Sequence, residues 1–405
     1  MRLPTCLAAA LAALLAAASL SAQSLDDAGP FTAGWRDVQA LDTDFGEGRV
    51  PARVYYPAQA PGRDAPPDPS GGPFPLTGFL HGWLGSASAY DQLCLHLASW
   101  GFVVVSVDTW QGIFVDNTDY AEDMRALLHW AEGASSDPAS FLFQMVGDQD
   151  WAACGHSMGG GTLPVLVGME PRIRLILGME AADNTNPLAD PGIQAYTGTA
   201  VFIAGDADWI VPPNVVRDWF ELSTAARRSL FYTVQGMGHN GPTDFPGNGD
   251  PLPGSEQNRI HRKLAAGWLL SEILGQEDVL AEVLGEGMDA EPATLESRCY
   301  DPPFWARVSV LAPAELVVGI AGRPGDRART GWSWATASRT TPFGLLELDL
   351  SLATAVADQP LSFSGLLESR IPVQPAWAGR TLYFQGLVDQ AGSGSFSRRV
   401  DLVLP

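Results

Sequence analysis

Ser157 stands between glycines in Trp151-Ala-Ala-Cys-Gly-His-Ser-Met-Gly-Gly-Gly161, and a chemistry can be assembled around its hydroxyl. A serine hydroxyl is a poor nucleophile at its own pKa. It needs a base for its proton, a carboxylate to hold that base in one tautomer, and donors for the charge that grows on an attacked carbonyl. Of the six histidines, His96, His129 and His261 fall on helix-patterned segments, where a surface or satisfied core role is the ordinary reading. His156 sits inside the turn, and its ring is expected to point away from the hydroxyl. His81 ends a strand. His239, in Gln235-Gly-Met-Gly-His-Asn-Gly241, lies in a glycine-rich loop able to reach the serine. Gly205-Asp-Ala-Asp-Trp-Ile-Val-Pro212 offers two carboxylates. Asp206 is close enough to its strand to cap the turn, which favours Asp208 as the acid. The donors expected for the oxyanion are the N–H of Met158, at the start of the next helix, and that of Trp83, in the turn His81-Gly82-Trp83. Read otherwise, the same residues are a Gly/Ser loop and an ordinary tight His-Gly turn.

These groups act together only if secondary structure gathers them. Trp151 to Cys154 can run as a short buried strand, and Thr162 to Met169 is apolar enough for a helix packed on a sheet. Strand, Gly-x-Ser-x-Gly, helix is the setting in which the motif carries weight. Gly34–Leu41 and Arg49–Pro57 read as a hairpin around Asp44-Phe-Gly-Glu-Gly48. Leu76–His81 and Phe102–Asp108 are unbroken apolar runs, the mark of strands buried on both faces. Ile173–Met179, Ala200–Ala204 and Leu230–Val234 complete the strands, with helices over Ala89–Ser99, Tyr120–Ala131 and Arg259–Leu274. The acidic stretch Gln276–Leu295 is expected to close this part with a helix. Strands alternating with helices predict an α/β fold, a mostly parallel sheet with helices on both faces, over residues 23–300.

From about Asp301 the texture changes. Arg307–Leu311, Leu316–Ile320, Leu345–Leu350, Thr381–Val388 and Arg399–Leu404 are strand-like, separated by turn residues and by no helix pattern. Residues 301–405 therefore predict a C-terminal all-β sandwich domain. Trp332, Trp334 and Trp377 are either part of its core or a sugar- or polymer-binding face.

The 405 residues allow two domains, and a formal net charge of −22 disfavours nucleic acid, anionic membrane surfaces and strongly anionic substrates. With 46% hydrophobic and 17% charged residues the chain is globular and not disordered. Met1–Cys6 carries one positive charge, an Ala/Leu run reaches about Leu20, and Ser21-Ala-Gln-Ser24 follows. Residues 1–22 read as a secretory signal peptide, the rival being an uncleaved membrane anchor. The mature protein is expected to be secreted or periplasmic, without stable membrane insertion. Cys6 leaves with the signal. Cys94, Cys154 and Cys299 then permit one disulfide at most; Cys94 with Cys299 is the pair to test, and Cys154 reads as a small buried apolar residue. No spacing resembles a zinc site, and no cofactor or metal is expected.

Together these residues resemble the α/β-hydrolases, and more narrowly the group of bacterial cutinases and polyester hydrolases, chlorophyllases and platelet-activating-factor acetylhydrolases. The likeness is carried by Leu80-His-Gly-Trp83, Leu97-Ala-Ser-Trp-Gly-Phe-Val-Val-Val-Ser-Val-Asp-Thr109, Gly155–Gly161, Asp206–Pro212 and Gly238-His239, over roughly residues 45–275. It implies the α/β-hydrolase fold, the chain order Ser157, Asp208, His239, and a serine hydrolase cleaving carboxylic esters through an acyl-enzyme. Some relatives carry the acid after an earlier strand, where Glu180 and Asp183 stand. Bacterial cutinases usually hold a tryptophan after the strand that ends near Met179; here Ala182 takes that place. They also tend to be compact, whereas this chain adds a C-terminal domain.

Only about twenty residues separate Met179 from Val201, too few for a helical cap. The site should be open, or covered only by the loop Gly241–Ser255. Trp83, Met158, Trp110 and Trp209, with His81 and Gly82, are expected to line it, which suits a neutral or hydrophobic ester, small or polymeric. Two other readings stand beside this one. A serine peptidase on the same fold would cleave amide reporters, and a binding protein with a vestigial hydrolase domain would not react with a fluorophosphonate.

Overall fold

The computed structural model describes residues 24–41, 48–247, 249–308, 315–390 and 393–404. The expected signal peptide and most of the first hairpin's turn lie outside the described residues.

Ten strands make one large sheet: β1 (Ala33–Leu41), β2 (Arg49–Pro57), β3 (Gly62–Arg63), β4 (Leu76–Leu80), β5 (Val103–Val107), β6 (Trp151–His156), β7 (Ile173–Met179), β8 (Thr199–Gly205), β9 (Arg228–Val234) and β10 (Ala293–Cys299). Their spatial order is β10-β9-β8-β7-β6-β4-β5-β2-β1-β3. The run from β5 through β9 is parallel, while β2 against β5 and β10 against β9 are antiparallel. Among the described residues six helices of seven residues or more accompany it: α1 (Asp91–Ser99), α2 (Asn117–Ser136), α3 (Met158–Met169), α4 (Ala189–Ala195), α5 (Pro213–Leu222) and α6 (Gly254–Leu274).

Side chains alternate across a strand, so neighbouring residues feed two different cores. Ala153 and Phe202 join Met124 and Leu127 of α2 and Leu163 and Leu166 of α3 on one face. Ala152, Cys154, Val201 and Ile203 join Leu93 and Leu97 of α1 and Leu264 and Trp268 of α6 on the other. Both faces are covered, which is why the central strands read as unbroken apolar runs. This is the α/β-hydrolase fold.

Three departures from the sequence reading have local causes. The helix expected over 276–295 is replaced by short turns, two four-residue helices (Leu280–Val283 and Glu286–Asp289) and then β10. Gly285, at φ −98° and ψ −137°, breaks the helical path between the two, and the open edge of β9 supplies a pairing partner for Ala293–Cys299. The helix read over Tyr120–Ala131 is longer, because Asp116 accepts a capping hydrogen bond from the Thr118 amide and starts it earlier. Helices α4 and α5 were not anticipated.

The C-terminal strands are β11 (Phe304–Val308), β12 (Glu315–Ala321), β13 (Arg327–Ser333), β14 (Thr336–Thr341), β15 (Gly344–Leu348), β16 (Ala353–Pro360), β17 (Leu366–Pro372), β18 (Thr381–Gln390), β19 (Ser393–Phe396) and β20 (Val400–Val403). One antiparallel sheet runs β11-β12-β17, and a second runs β16-β13-β18-β19 with β20 also on β18. Phe304, Leu316, Val318 and Ile320 of the first meet Trp332, Leu382, Phe384 and Val388 of the second in a common core. This is a β-sandwich. Strand β11 serves two cores at once: Phe304 and Ala306 enter the sandwich, while Trp305 between them is buried in the hydrolase cluster with Leu280, Val283 and Trp268. The three tryptophans pack edge-on or tilted at 4.9–5.9 Å, Trp332 is buried, and the Arg380 guanidinium lies 3.6 Å from the ring centre of Trp334. They form a corner of the core and not a flat platform.

Cys94 and Cys299 are not joined; all three described cysteines are buried free thiols. Cys94 lies on α1, which packs over β1, β2 and β5, and Cys299 ends β10 at the far edge of the sheet. Strands repeat every 4.8 Å or so, so six strand steps from β10 to β5 span roughly 29 Å, far beyond the ~7 Å that a disulfide tolerates between Cα atoms. A chain beginning at residue 24 should show no thiol reactive to Ellman's reagent while folded, and three in denaturant without reductant. A count of one would restore the disulfide.

Candidate active site

The site is built where β6 turns into α3. Ser157 sits between them at φ 52°, ψ −119°, a strained conformation for a residue with a side chain. Its amide donates to the Met179 carbonyl at 2.9 Å, and its carbonyl accepts from the amides of Gly161 and Ala182, both at 2.9 Å. The bend needs glycine on both sides. A Cβ on Gly155 would lie 2.5 Å from the Gly159 carbonyl oxygen, and one on Gly159 would run into the Leu80 carbonyl.

His239 closes on Ser157 from the loop after β9. Its Nε2 is 2.9 Å from Ser157 Oγ and its Nδ1 is 2.8 Å from Asp208 Oδ2. Asp208 is buried, and its other oxygen accepts from the amides of Ile210 at 2.8 Å and Val211 at 2.9 Å. The carboxylate therefore has a single orientation. Asp206 takes the capping role: it accepts from the Gly236 amide at 2.6 Å and steers the exit of β9. Glu180 bonds His261 at 3.1 Å, and Asp183 accepts from the Asn184 amide; neither bonds His239. Burial pushes the Glu180 carboxyl above its usual range.

The backbone amides of Met158 and Trp83 have no hydrogen-bond acceptor among the described residues, whereas the intervening Gly82 amide donates to Tyr90 Oη at 3.0 Å. Beside Ser157 opens a cleft of about 280 Å³, bounded by Gly82, Trp83 and Leu84 on one wall and by His239, Thr243 and Phe245 on the other. A larger cavity of about 580 Å³ lies between residues 275–282 and the sandwich, but among the described residues no serine, cysteine or histidine lines it.

Three residues expected to line the site do other work. His81 is fully buried, with its ring nitrogens 2.8 Å from the Gly82 carbonyl and 2.7 Å from the Thr109 carbonyl, so it joins the ends of β4 and β5. Trp110, at φ 58°, turns its indole N–H to Asp123 at 2.8 Å and packs on the core. Trp209 is 83% exposed and outside the cleft, because Asp208 and its amide partners occupy the inner side of that turn.

The supports of the His239 loop escaped the sequence reading. Gln257 accepts from the Gly238 amide at 3.1 Å, and Asn258 donates to the carbonyls of Pro242 and Thr243. Both are buried polar residues at the start of α6. Their signal is two adjacent amides where an apolar face would be expected. Asp244 clamps the same loop to α1: its amide donates to the Ala89 carbonyl at 2.8 Å, and its carboxylate accepts from the Gln92 amide at 3.1 Å. Burial pushes its pKa up to about 6, Asp91 adds to the rise, and the Gln92 amide and Arg262 oppose it. The folded state thus holds this proton more tightly than the unfolded chain. The stability this contributes is complete below the ordinary value of 3.8 and is lost as pH rises through about 6. The melting temperature of the wild type minus that of Asp244→Asn should fall between pH 4 and pH 6.5; a flat difference would remove Asp244 from this role.

Residues 16–240 match the family model of PETase, described as PET hydrolase-like, and this is more than half of the chain. The matched span takes in Ser157, Asp208 and His239 and stops one residue beyond the last. No curated protein matches the sequence. With the sheet, the strained serine turn and this match in place, the chain belongs to the PETase (PET hydrolase-like) family and is a hydrolase acting on esters.

Proposed function

We propose that the protein is an exported serine esterase working through a Ser157–His239–Asp208 triad. The observation that carries the proposal is the unbroken line of hydrogen bonds from Ser157 Oγ through both nitrogens of His239 to Asp208, at 2.9 and 2.8 Å. Ser157 Oγ attacks the ester carbonyl as His239 Nε2 takes its proton, and Asp208 stabilises the imidazolium and fixes its tautomer. The oxyanion receives the amides of Met158 and Trp83, the two that have no other acceptor among the described residues. His239 returns the proton to the departing alkoxide, leaving an acyl group on Ser157. Water, deprotonated by the same imidazole, then releases the carboxylic acid and restores the enzyme.

The rim of the cleft supports a neutral, apolar ester. Trp83 and Leu84 are each 54% exposed and Phe245 is 76% exposed. Trp83 bonds the Ile113 carbonyl at 3.0 Å, bringing the exposed Ile113 and Phe114 to the same wall. Contiguous apolar surface of this kind marks a binding face, and the charge of −22 disfavours anionic substrates. Small esters and the surface of an insoluble polyester both fit that chemistry. The mature chain would comprise the hydrolase part to about residue 300 and the sandwich from 301, acting outside the cytoplasm once residues 1–22 are removed, and the sandwich would either contact the polymer or serve only as packing.

Ser157→Ala should lower p-nitrophenyl ester hydrolysis by roughly a millionfold and abolish fluorophosphonate labelling, with little change in melting temperature. A variant rate within tenfold of wild type would refute the triad. A panel of short-acyl, long-acyl and polyester-film substrates assigns the acyl preference.

A further inference from the structure

Behind Ser157 a chain of hydrogen bonds joins three of the loops that build the site. The Gly82 amide donates to Tyr90 Oη at 3.0 Å, Tyr90 Oη lies 2.7 Å from His156 Nδ1, and His156 Nε2 lies 2.8 Å from the carbonyl oxygen of His239. Tyr90 is 2% exposed and His156 3% exposed. Chemistry decides the direction of each bond. A carbonyl can only accept, so His156 Nε2 carries a hydrogen. A second hydrogen on Nδ1 would make an imidazolium, and burial, reinforced by the facing His239, holds the His156 pKa well below the ordinary histidine range. Nδ1 is therefore a lone pair. Tyr90 donates to it and uses its own lone pair for the Gly82 amide.

Each partner precedes or belongs to a reacting group. Gly82 precedes Trp83, whose amide faces the oxyanion position, and His156 precedes Ser157. The last carbonyl is that of His239 itself, whose ring lies 4.9 Å from the His156 ring. We propose that Tyr90 and His156 are positioning residues: a neutral pair that holds the oxyanion turn, the serine turn and the histidine loop in register, and stays uncharged while His239 passes through its imidazolium. This rests on the triad reading above. The titratable groups facing the pair are His81 after β4, Cys94 on α1, Tyr120 on α2, Glu180 after β7, His261 on α6 and His239. Of these, only His239 gains a proton during turnover. Occupying the Gly82 amide also leaves Trp83 as the donor that this turn adds to the Met158 amide, so the pair selects which amide of the turn serves.

Tyr90→Phe removes only the hydroxyl and keeps the ring that shapes the cleft. A displacement of about an ångström in a reacting group costs on the order of a hundredfold. The variant should therefore lose roughly ten- to a hundredfold in kcat, with KM little changed. The split between kcat and KM is the readout that loose packing would not reproduce, because slack cleft walls raise KM. His156→Gln keeps an acceptor for Tyr90 and a donor for the His239 carbonyl, and it should retain most of the kcat that His156→Leu loses; equal losses in the two would mean packing alone and overturn the proposal. A Tyr90→Phe enzyme with wild-type kcat, or a loss confined to KM, overturns it as well. If that variant does not fold, His156→Leu breaks the same chain from its other end, and wild-type kcat there overturns it equally. Ser157→Ala is run in parallel. Activity in that variant would sink the triad reading, whereas a dead Ser157→Ala beside a fully active Tyr90→Phe would sink this inference alone.

Discussion

The catalytic half of the molecule depends on how closely the first turn of α3 approaches the ends of the neighbouring strands. Gly159 presses on the Leu80 carbonyl, Gly160 on Ala181 and Gly161 on the Ala182 carbonyl. Three consecutive residues thus touch the backbone at the ends of β4 and after β7, and any side chain among them would push α3 outward. That approach has two effects. It holds Ser157 in its strained turn through bonds to Met179 and Ala182, and it sets the Met158 amide beside the turn that carries Trp83. The proposed nucleophile and oxyanion donors are placed by the same contact, so neither can drift without the other. Strain of this kind persists only where the surroundings over-determine it.

The proposed base and acid, His239 and Asp208, arrive differently, on loops, and each loop is held by partners far away in the chain. Asp206, two residues before Asp208, bonds the Gly236 amide and so fixes the path toward His239. Gln257 and Asn258 receive the rest of that path on α6, and Asp244 ties it to α1 on the opposite wall of the cleft. Loops carry the reacting groups while rigid elements position them. The extra carboxylate beside the site, Glu180, is withdrawn by pairing with His261 in a fully buried couple.

The elements around Ser157 were legible because their pattern is also their physics. Strands buried on both faces must be unbroken apolar runs, and a turn with two backbone clashes must be glycine. The glycine-rich loop pointed to His239, the capping position of Asp206 favoured Asp208, and the resemblance supplied their chain order; the structure hydrogen-bonds both into one line with Ser157. What was not legible depends on partners that sequence spacing does not reveal. Whether His81 faces the cleft or Thr109 depends on which way β4 delivers it, and Trp110 turns to Asp123 on α2, a partner 13 positions away. Strand β10 exists because β9 had an open edge, and polar strands such as β14, almost wholly exposed, carry no apolar alternation to betray them. The Cys94–Cys299 pairing failed on the width of the sheet, a quantity that appears only once the strand order is known.

Strand β11 gives the sandwich a status different from that of a tethered accessory module. Trp305 fills a socket in the hydrolase core while its neighbours Phe304 and Ala306 fill the other core, and Ser297 on β10 donates to the carbonyls of Gly322 and Ser364 across the same seam. A module on a flexible linker samples many orientations; this one is keyed to its neighbour by an indole. Exchanging it for an unrelated module would leave an empty slot over Gly285, where the indole now lies, so the two halves should be engineered or replaced as one piece.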